Sequence, residues 1–138
     1  MLNRFELFIP GEAKNMQHHF DAWDVSNERG QCCMSTGGQR MVTCVLYLSD
    51  VEESGGTSFP NLDMEVRAIK GCMLVCHNCF QGSMVRHPNS VHGGMLVLQG
   101  EKWACNLWFR QKFYQLLETV FERKIEPLPT ALKIKHII

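Results

Sequence analysis

Apolar and polar residues alternate over short stretches along most of the chain. A period of two places every second side chain on one face of a sheet, which predicts β-strands rather than helices. The predicted strands are Leu2–Ile9, Arg40–Ser49, Met64–Ile69, Cys72–His77 and two runs that flank a turn at 99–101. A short edge piece is expected at Thr57–Pro60, since a proline that cannot donate to a ladder fits an edge or a strand end. With a further strand that carries His19 and Asp21, this gives about eight short strands. The pattern therefore predicts a mainly β protein, a sandwich or small barrel.

Two stretches depart from this alternation. Residues 25–39 are polar, contain three glycines and have no period, so we predict a long loop there and consider it a candidate lid. Apolar residues from Phe113 to Ile125 recur at helical spacing, which predicts an amphipathic C-terminal helix over about 111–125 that ends before Pro127. We therefore expect one domain over 1–126 and a tail over 127–138.

Composition narrows the possible partners. The 138 residues carry no net charge, so no basic field predicts binding to nucleic acid or to anionic lipid. No apolar run approaches the roughly 20 residues that span a bilayer, and the first residues do not resemble a signal peptide. Seven scattered cysteines are typical of reduced thiols, so we expect a cytoplasmic location, no membrane partner and a ligand recognised through a pocket.

Candidate metal ligands occur early in the chain. In a strand, His19 and Asp21 would point to the same side while Phe20 faces the other way. A His-x-Asp triplet is weak evidence alone, since it is more often a surface hydrogen-bonding pair. The neighbouring His18 and Asp24 are poorer candidates, because neither has a partner at the required spacing.

A second metal hypothesis concerns Cys76 and Cys79. Their Cys-x-x-Cys spacing is compatible with zinc, but a structural zinc site needs a second pair of ligands, which the sequence lacks. Small buried thiols in a core strand are the favoured interpretation.

The late part of the chain adds His92 and Lys102. Two histidines and one carboxylate on a β-scaffold form the facial triad associated with non-haem Fe(II), although zinc would accept the same donors. A lysine beside an apolar run indicates either a solvated strand end or a bound anion. As an anion site, Lys102 could meet the far carboxylate of a dicarboxylic co-substrate that chelates the iron.

Several motifs resemble the 2-oxoglutarate- and Fe(II)-dependent dioxygenases of the prolyl 4-hydroxylase type. The motifs occur in the order His19-x-Asp21, Arg40-x-x-Thr43, Gly55-Gly56-x-x-Phe59-Pro60, His92 and Lys102-Trp103. Each is short, but the combined order is specific. The likeness covers about Phe5 to Arg110.

This resemblance implies a double-stranded β-helix of the jelly-roll type, with iron held by His19, Asp21 and His92. It implies that Lys102 binds the distal carboxylate of 2-oxoglutarate, with Thr57 as a hydroxyl donor, and that ascorbate keeps the iron ferrous. Succinate and CO2 would accompany hydroxylation of a protein or peptide, most simply at proline in a proline-rich segment. Arg40 and Trp108 match family positions on the substrate side of the pocket.

The chain also departs from the family. Phe8 stands where a family tyrosine helps to hold 2-oxoglutarate, a second tyrosine before the His-x-Asp triplet is missing, and that segment is about two residues longer. Much of the N-terminal helical portion that would buttress the sheet is also missing. Two alternatives therefore remain: a truncated or degenerate metal-binding β-barrel without turnover, and a 2-oxoglutarate oxygenase with a non-prolyl substrate, such as a nucleic acid base.

Overall fold

A computed structural model describes residues 2–8, 17–112 and 133–137, which form ten strands and one short helix. Two 3₁₀ turns, Pro60–Leu62 and Pro88–Ser90, each begin with a proline. The regular elements are β1 (Leu2–Phe8), α1 (Glu28–Met34), β2 (Arg40–Tyr47), β3 (Glu53–Ser54), β4 (Thr57–Phe59), β5 (Met64–Val66), β6 (Cys72–His77), β7 (Gly93–Gly94), β8 (Val97–Gln99), β9 (Ala104–Arg110) and β10 (Lys133–Ile137).

The strands form three sheets around one core. A five-stranded sheet has the order β1-β9-β2-β6-β10, a three-stranded sheet the order β5-β4-β7, and β3 pairs with β8. All strand pairs are antiparallel except β10 with β6. Buried side chains from the two larger sheets, among them Tyr47, Leu74, Phe59 and Val66, pack in the same cluster. The predicted double-stranded β-helix architecture is confirmed.

Strand β2 lies in the middle of the larger sheet, where it pairs with both β9 and β6. Its run of β-branched and aromatic residues suits a strand that is covered on both faces. Thr43, Val45 and Tyr47 are all buried and, being two residues apart, share one face. That face carries two hydroxyl groups into the interior.

The prediction of a loop throughout 25–39 is wrong. Helix α1 occupies Glu28–Met34, and its N-cap Asn27 accepts a hydrogen bond from the backbone N–H of Gly30 at 2.7 Å. The helix has only seven residues and one fully buried position, Gly30, so it has no apolar stripe that a search for periodicity could detect.

The prediction that Thr57–Pro60 is an edge piece is wrong, whereas the alternative that Pro60 marks a strand end is confirmed. Strand β4 ends at Phe59 and pairs on both sides, with β5 and with β7. Pro60 lies just beyond the strand and begins a 3₁₀ turn, so it removes no donor from the ladder.

The two late runs around the 99–101 turn become β7, β8 and β9, but neither His92 nor Lys102 lies within a strand. His92 forms a single bridge with His19, and Lys102 precedes β9. The predicted helix over 111–125 lies outside the described residues, and the tail contains β10. Within the described ranges, no helix is long and apolar enough to cross a membrane.

Candidate active site

His19, Asp21 and His92 converge at one end of the interior. Each offers one ligand atom, and these atoms all lie within 4.8 Å of one another. The Nε2 atoms of His19 and His92 lie 3.6 and 3.5 Å from the two carboxylate oxygens of Asp21. The structure therefore brings together the three residues that the sequence predicted as metal ligands.

Backbone contacts hold both imidazoles in place. His19 N–H donates to His92 O at 2.8 Å, and His92 N–H donates to His19 O at 3.0 Å, so the two residues lie side by side. The other ring nitrogen of each, Nδ1, contacts a backbone carbonyl: that of Gln17 at 3.0 Å and that of Ser90 at 2.8 Å. With Nδ1 as the hydrogen-bond donor, Nε2 is left with a free lone pair directed at the cluster.

The chain reaches this geometry without the predicted strand. His19 makes one bridge, and the backbone bends at Asp21 and Ala22. The bend turns the Asp21 side chain inward, where only 6% of its surface is exposed.

The electrostatics of the cluster favour an ionised carboxylate. Burial by itself raises the pKa of Asp21, but the hydrogen bond with His19 and the charge of His92 outweigh it and hold that pKa well below its usual range. The hydrogen bond with Asp21 raises the pKa of His19. Asp21 is therefore negatively charged over the physiological pH range and ready to bind a cation.

The Arg40 side chain lies beside the Asp21 carboxylate. Its guanidinium is 3.8 Å from the carboxylate and is placed between two indole rings, 4.8 Å from the centre of Trp23 and 4.3 Å from that of Trp108. The indole N–H groups of Trp23 and Trp108 are buried and have no hydrogen-bond partner among the described residues. The predicted residues Arg40 and Trp108 thus form one wall beside the metal-ligand cluster, to which the structure adds Trp23.

Lys102 is partly buried and lies just before β9. Its ammonium donates to Gly56 O at 3.1 Å, and none of the carboxylates among the described residues pairs with it. Burial lowers the pKa of Lys102 to about 8. A buried cation without a counter-charge is costly unless an anion binds there.

Two hydroxyl groups accompany Lys102. Tyr47 Oη and Thr57 Oγ1 lie 2.7 Å apart, and both residues are buried. The Lys102 ammonium lies 5.7 Å from the centre of the Tyr47 ring. Burial raises the pKa of Tyr47 to about 12, so its hydroxyl remains a donor. Sequence reasoning found Thr57 but missed Tyr47, whose signal was a phenol on the same face of β2 as Thr43.

Strand β4 joins the metal-ligand cluster to the lysine. Gly56 accepts from Lys102, Thr57 contacts Tyr47, and the Phe59 ring lies 5.6 Å from that of His92. These contacts follow one another over three residues, or roughly 10 Å at the rise of a strand. The segment from Gly56 to Phe59 therefore contacts both Lys102 and the metal-ligand cluster.

The other candidates lie elsewhere. His18 is exposed and contacts Ser58 Oγ at 2.9 Å, and Asp24 pairs with Arg86. Cys76 and Cys79 are buried free thiols, and the only group in the described part of the chain that could hold a metal is His19, Asp21 and His92.

Sequence reasoning also missed two buried amides, Gln39 and Asn78, both fully buried. The Gln39 side chain makes four hydrogen bonds that tie the backbone of Trp23 to Arg40 N and to Met84 O. Isolated Gln and Asn residues carry no sequence signal of this kind, since most are exposed.

Residues 3–110 match the family model described as 2OG-Fe(II) oxygenase superfamily. The chain belongs to this superfamily. The match includes the metal-ligand cluster, Arg40, Thr57, Lys102 and Trp108.

Individual relatives of the chain carry prolyl hydroxylase names. It is 37% identical over 105 residues to "Putative prolyl 4-hydroxylase" of Acanthamoeba polyphaga mimivirus, a match that covers 76% of this chain and 43% of the relative. It is 36% identical over 93 residues to "Prolyl 4-hydroxylase 1" of Arabidopsis thaliana, with 57% and 32% covered. The chain thus spans less than half the length of either curated relative.

A solved structure has the same fold. The viral collagen prolyl hydroxylase vCPH from Paramecium Bursaria Chlorella virus-1, in its 2OG complex, superposes with a TM-score of 0.59 and 26% identity. The match covers 78% of this chain and 59% of that structure.

The donor set of the cluster His19, Asp21 and His92 fits a ferrous ion. Two imidazoles with fixed Nδ1 atoms and one ionised carboxylate supply three neutral or anionic donors from one side, and the described residues contribute no fourth ligand. A three-donor arrangement leaves positions for a co-substrate, whereas a structural zinc site would be closed by a fourth protein ligand.

Proposed function

We propose that the chain is a 2-oxoglutarate- and Fe(II)-dependent dioxygenase that hydroxylates proline in a protein or peptide. The observation that carries the proposal is that the segment from Gly56 to Phe59 contacts both the His-Asp-His cluster and Lys102, a partly buried lysine without a carboxylate partner among the described residues. Membership of the 2OG-Fe(II) oxygenase superfamily and the names of the relatives support it.

His19, Asp21 and His92 would hold the ferrous ion, with Asp21 supplying the negative charge. When bound, Fe(II) supplies the redox chemistry that couples decarboxylation of 2-oxoglutarate, to succinate and CO2, with hydroxylation of a C–H bond. The carbonyls of Gln17 and Ser90 fix the imidazoles, so the protein need not reorganise when the ion enters.

Lys102 would bind the distal carboxylate of 2-oxoglutarate as a charge-assisted hydrogen-bond donor. The hydrogen-bonded pair of Tyr47 and Thr57 would donate one further hydrogen bond, which offsets the bond expected to be lost with Phe8 in place of the family tyrosine. The carboxylate would neutralise the partly buried ammonium, so binding removes a cost already present in the free protein.

Arg40 and Trp108, with Trp23, would orient the polypeptide. The stacked guanidinium presents a fixed cation next to the ion, held between two flat indole rings. We propose ascorbate as the reductant that keeps the iron ferrous between turnovers; omitting it should shorten the period of linear product formation.

The test separates binding from turnover. Anaerobic addition of Fe(II) and then 2-oxoglutarate should produce the weak visible band of a chelate complex. His92→Ala should abolish this band at every 2-oxoglutarate concentration, whereas Lys102→Ala should shift its appearance to higher concentrations. Lys70→Ala, which removes an exposed lysine, is the matched control and should behave as wild type.

Turnover is then measured with proline-rich peptides, Fe(II), 2-oxoglutarate, ascorbate and air. A gain of one oxygen on proline, equimolar with succinate, is the expected result. A chelate complex without succinate would favour the non-catalytic β-barrel, and succinate without oxygen on proline would favour a different substrate.

A further inference from the structure

Two buried polar side chains, Asn78 and Thr43, form a chain of hydrogen bonds that ends at Asp21. Asn78 Nδ2 donates to Thr43 Oγ1 at 2.8 Å, and Thr43 Oγ1 donates to Asp21 Oδ2 at 2.6 Å. Asn78 is 0% and Thr43 1% exposed. With so little exposed surface, neither side chain can contact a substrate directly. Either could affect one only through Asp21.

The direction of these hydrogen bonds is fixed by a backbone group. Asn78 Nδ2 also donates to Arg40 O at 3.2 Å, and a carbonyl can only accept. The amide nitrogen must therefore face this side, where it also meets the Thr43 oxygen. Because that hydroxyl has one proton and already accepts from Asn78, its proton goes to Asp21.

Asn78 is also connected to His92. Its backbone carbonyl accepts from Ser90 Oγ at 3.2 Å, and the carbonyl of Ser90 contacts His92 Nδ1 at 2.8 Å. The end of β6 is thus linked to two of the three residues of the metal-ligand cluster, which come from segments 71 residues apart.

We propose that Asn78 and Thr43 are positioning residues for the metal: Asn78 fixes the direction of the Thr43 hydroxyl, and the hydroxyl fixes the plane of the Asp21 carboxylate. The inference rests on the proposed function, because it assumes that Asp21 is a metal ligand. Partners of this kind typically contribute 10–100-fold to metal affinity.

The first test is the affinity of the purified protein for Mn(II) and Co(II), measured by calorimetry and by the visible spectrum of the Co(II) complex. Thr43→Val has nearly the same shape and lacks the hydroxyl, so its Kd should rise about 10–100-fold and its Co(II) spectrum should change. Thr43→Ser restores the hydroxyl and should recover Kd to within about threefold of wild type.

The second test concerns direction. Asn78→Leu should weaken Mn(II) binding, because the hydroxyl is no longer forced to donate to Asp21. The double variant Thr43→Val/Asn78→Leu should have the same Kd for Mn(II) as Thr43→Val alone, because Asn78 acts through the Thr43 hydroxyl. Effects on Kd that multiply in the double variant would overturn the role given to Asn78.

The control is Val45→Ala, which lies on the same face of β2 and creates a cavity without touching Asp21. It should lower the thermal midpoint of unfolding while Mn(II) affinity stays within about twofold of wild type. If Thr43→Val bound Mn(II) as tightly as wild type, the inference would be wrong while the proposed function stood. If wild type bound neither metal, the proposed function would fail and the inference with it.

Discussion

Lys102 links the binding of 2-oxoglutarate to pH. Its pKa of about 8 means that the ammonium form, which a carboxylate requires, becomes the minor species above that pH. We predict that the Kd for 2-oxoglutarate is constant below pH 8 and rises by up to about tenfold per pH unit above it. Calorimetry of the Mn(II)-loaded protein in buffers of different ionisation enthalpy would measure both Kd and proton uptake.

Lys102→Arg provides the control for this profile. A guanidinium stays charged throughout the range, so the inflection near pH 8 should disappear even if the larger head weakens binding overall. An inflection that persists in Lys102→Arg would assign the pH dependence to another group.

Removing the same charge should stabilise the free protein. The folded pKa of Lys102 lies below its usual 10.5, so at pH 7 the folded state carries a charged lysine at a cost that the unfolded state does not have. We predict that Lys102→Met raises the free energy of unfolding by about 1–3 kcal/mol at pH 7 and loses 2-oxoglutarate binding.

The effect of Lys102→Met on the free energy of unfolding should depend on pH. The cost is present in full below about pH 8 and is relieved as pH rises from 8 towards 10.5, so the advantage of Lys102→Met should shrink over that window in urea unfolding. An advantage that is constant from pH 7 to 10 would indicate better packing rather than removal of a charge.

Residues differ in how far the sequence reveals their roles. His19, Asp21, His92 and Lys102 could be singled out because their motifs occur in an order that resembles a known family, whereas each motif alone is weak. Thr43 belongs to one of these motifs, but only the structure shows its contact with Asp21. Tyr47 could not be singled out, since it is an ordinary strand residue that only its contact with Thr57 distinguishes.

At the scale of elements, β4 and the residue before it, Gly56, contact both the metal-ligand cluster and Lys102. Gly56 also allows β4 and β5 to approach closely. A Cβ at Gly56 would lie 2.3 Å from the backbone oxygen of Val66, and that oxygen belongs to a paired strand that cannot move aside cheaply. The Gly56 carbonyl also accepts from Lys102. A single residue thus sets strand spacing and the position of the ammonium.

We predict that Gly56→Ala lowers the free energy of unfolding by about 1–3 kcal/mol and weakens 2-oxoglutarate binding. Gly71→Ala is the matched control: the space around Gly71 is open, but its φ of 78° makes alanine unfavourable by about 1–2 kcal/mol. Urea unfolding and calorimetry should show stability loss in both variants and weaker binding only in Gly56→Ala. Equal 2-oxoglutarate affinity in the two would contradict this role for β4.

The helices and strands that could be predicted from the sequence are those with long runs of apolar residues. Strands β2 and β6 follow from their continuous β-branched and apolar runs, whereas α1 is too short for a stripe and its cap Asn27 is a single polar residue. The edge assignment of Thr57–Phe59 failed because strand order depends on long-range pairing, with Gly93–Gly94 on one side, that no local pattern encodes.

For the molecule as a whole, the metal-ligand cluster joins distant parts of the chain. His19 and Asp21 come from the segment before α1 and His92 from the segment before β7, so all three converge only when the sheets are assembled. A metal ion therefore binds the folded chain far more tightly than the unfolded one, and stability should rise with metal concentration.

We predict that Mn(II) at 100 times its Kd raises the free energy of unfolding by about 2.7 kcal/mol, measured by urea unfolding with and without the ion. His92→Ala should lose most of this gain, because a two-ligand remnant binds weakly, while its metal-free form should still fold around the core of Tyr47, Phe59 and Leu74. His77→Ala, on an exposed position at the end of β6, should retain the full gain. A metal-induced gain of equal size in His92→Ala and wild type would show that the ion stabilises the chain through other residues.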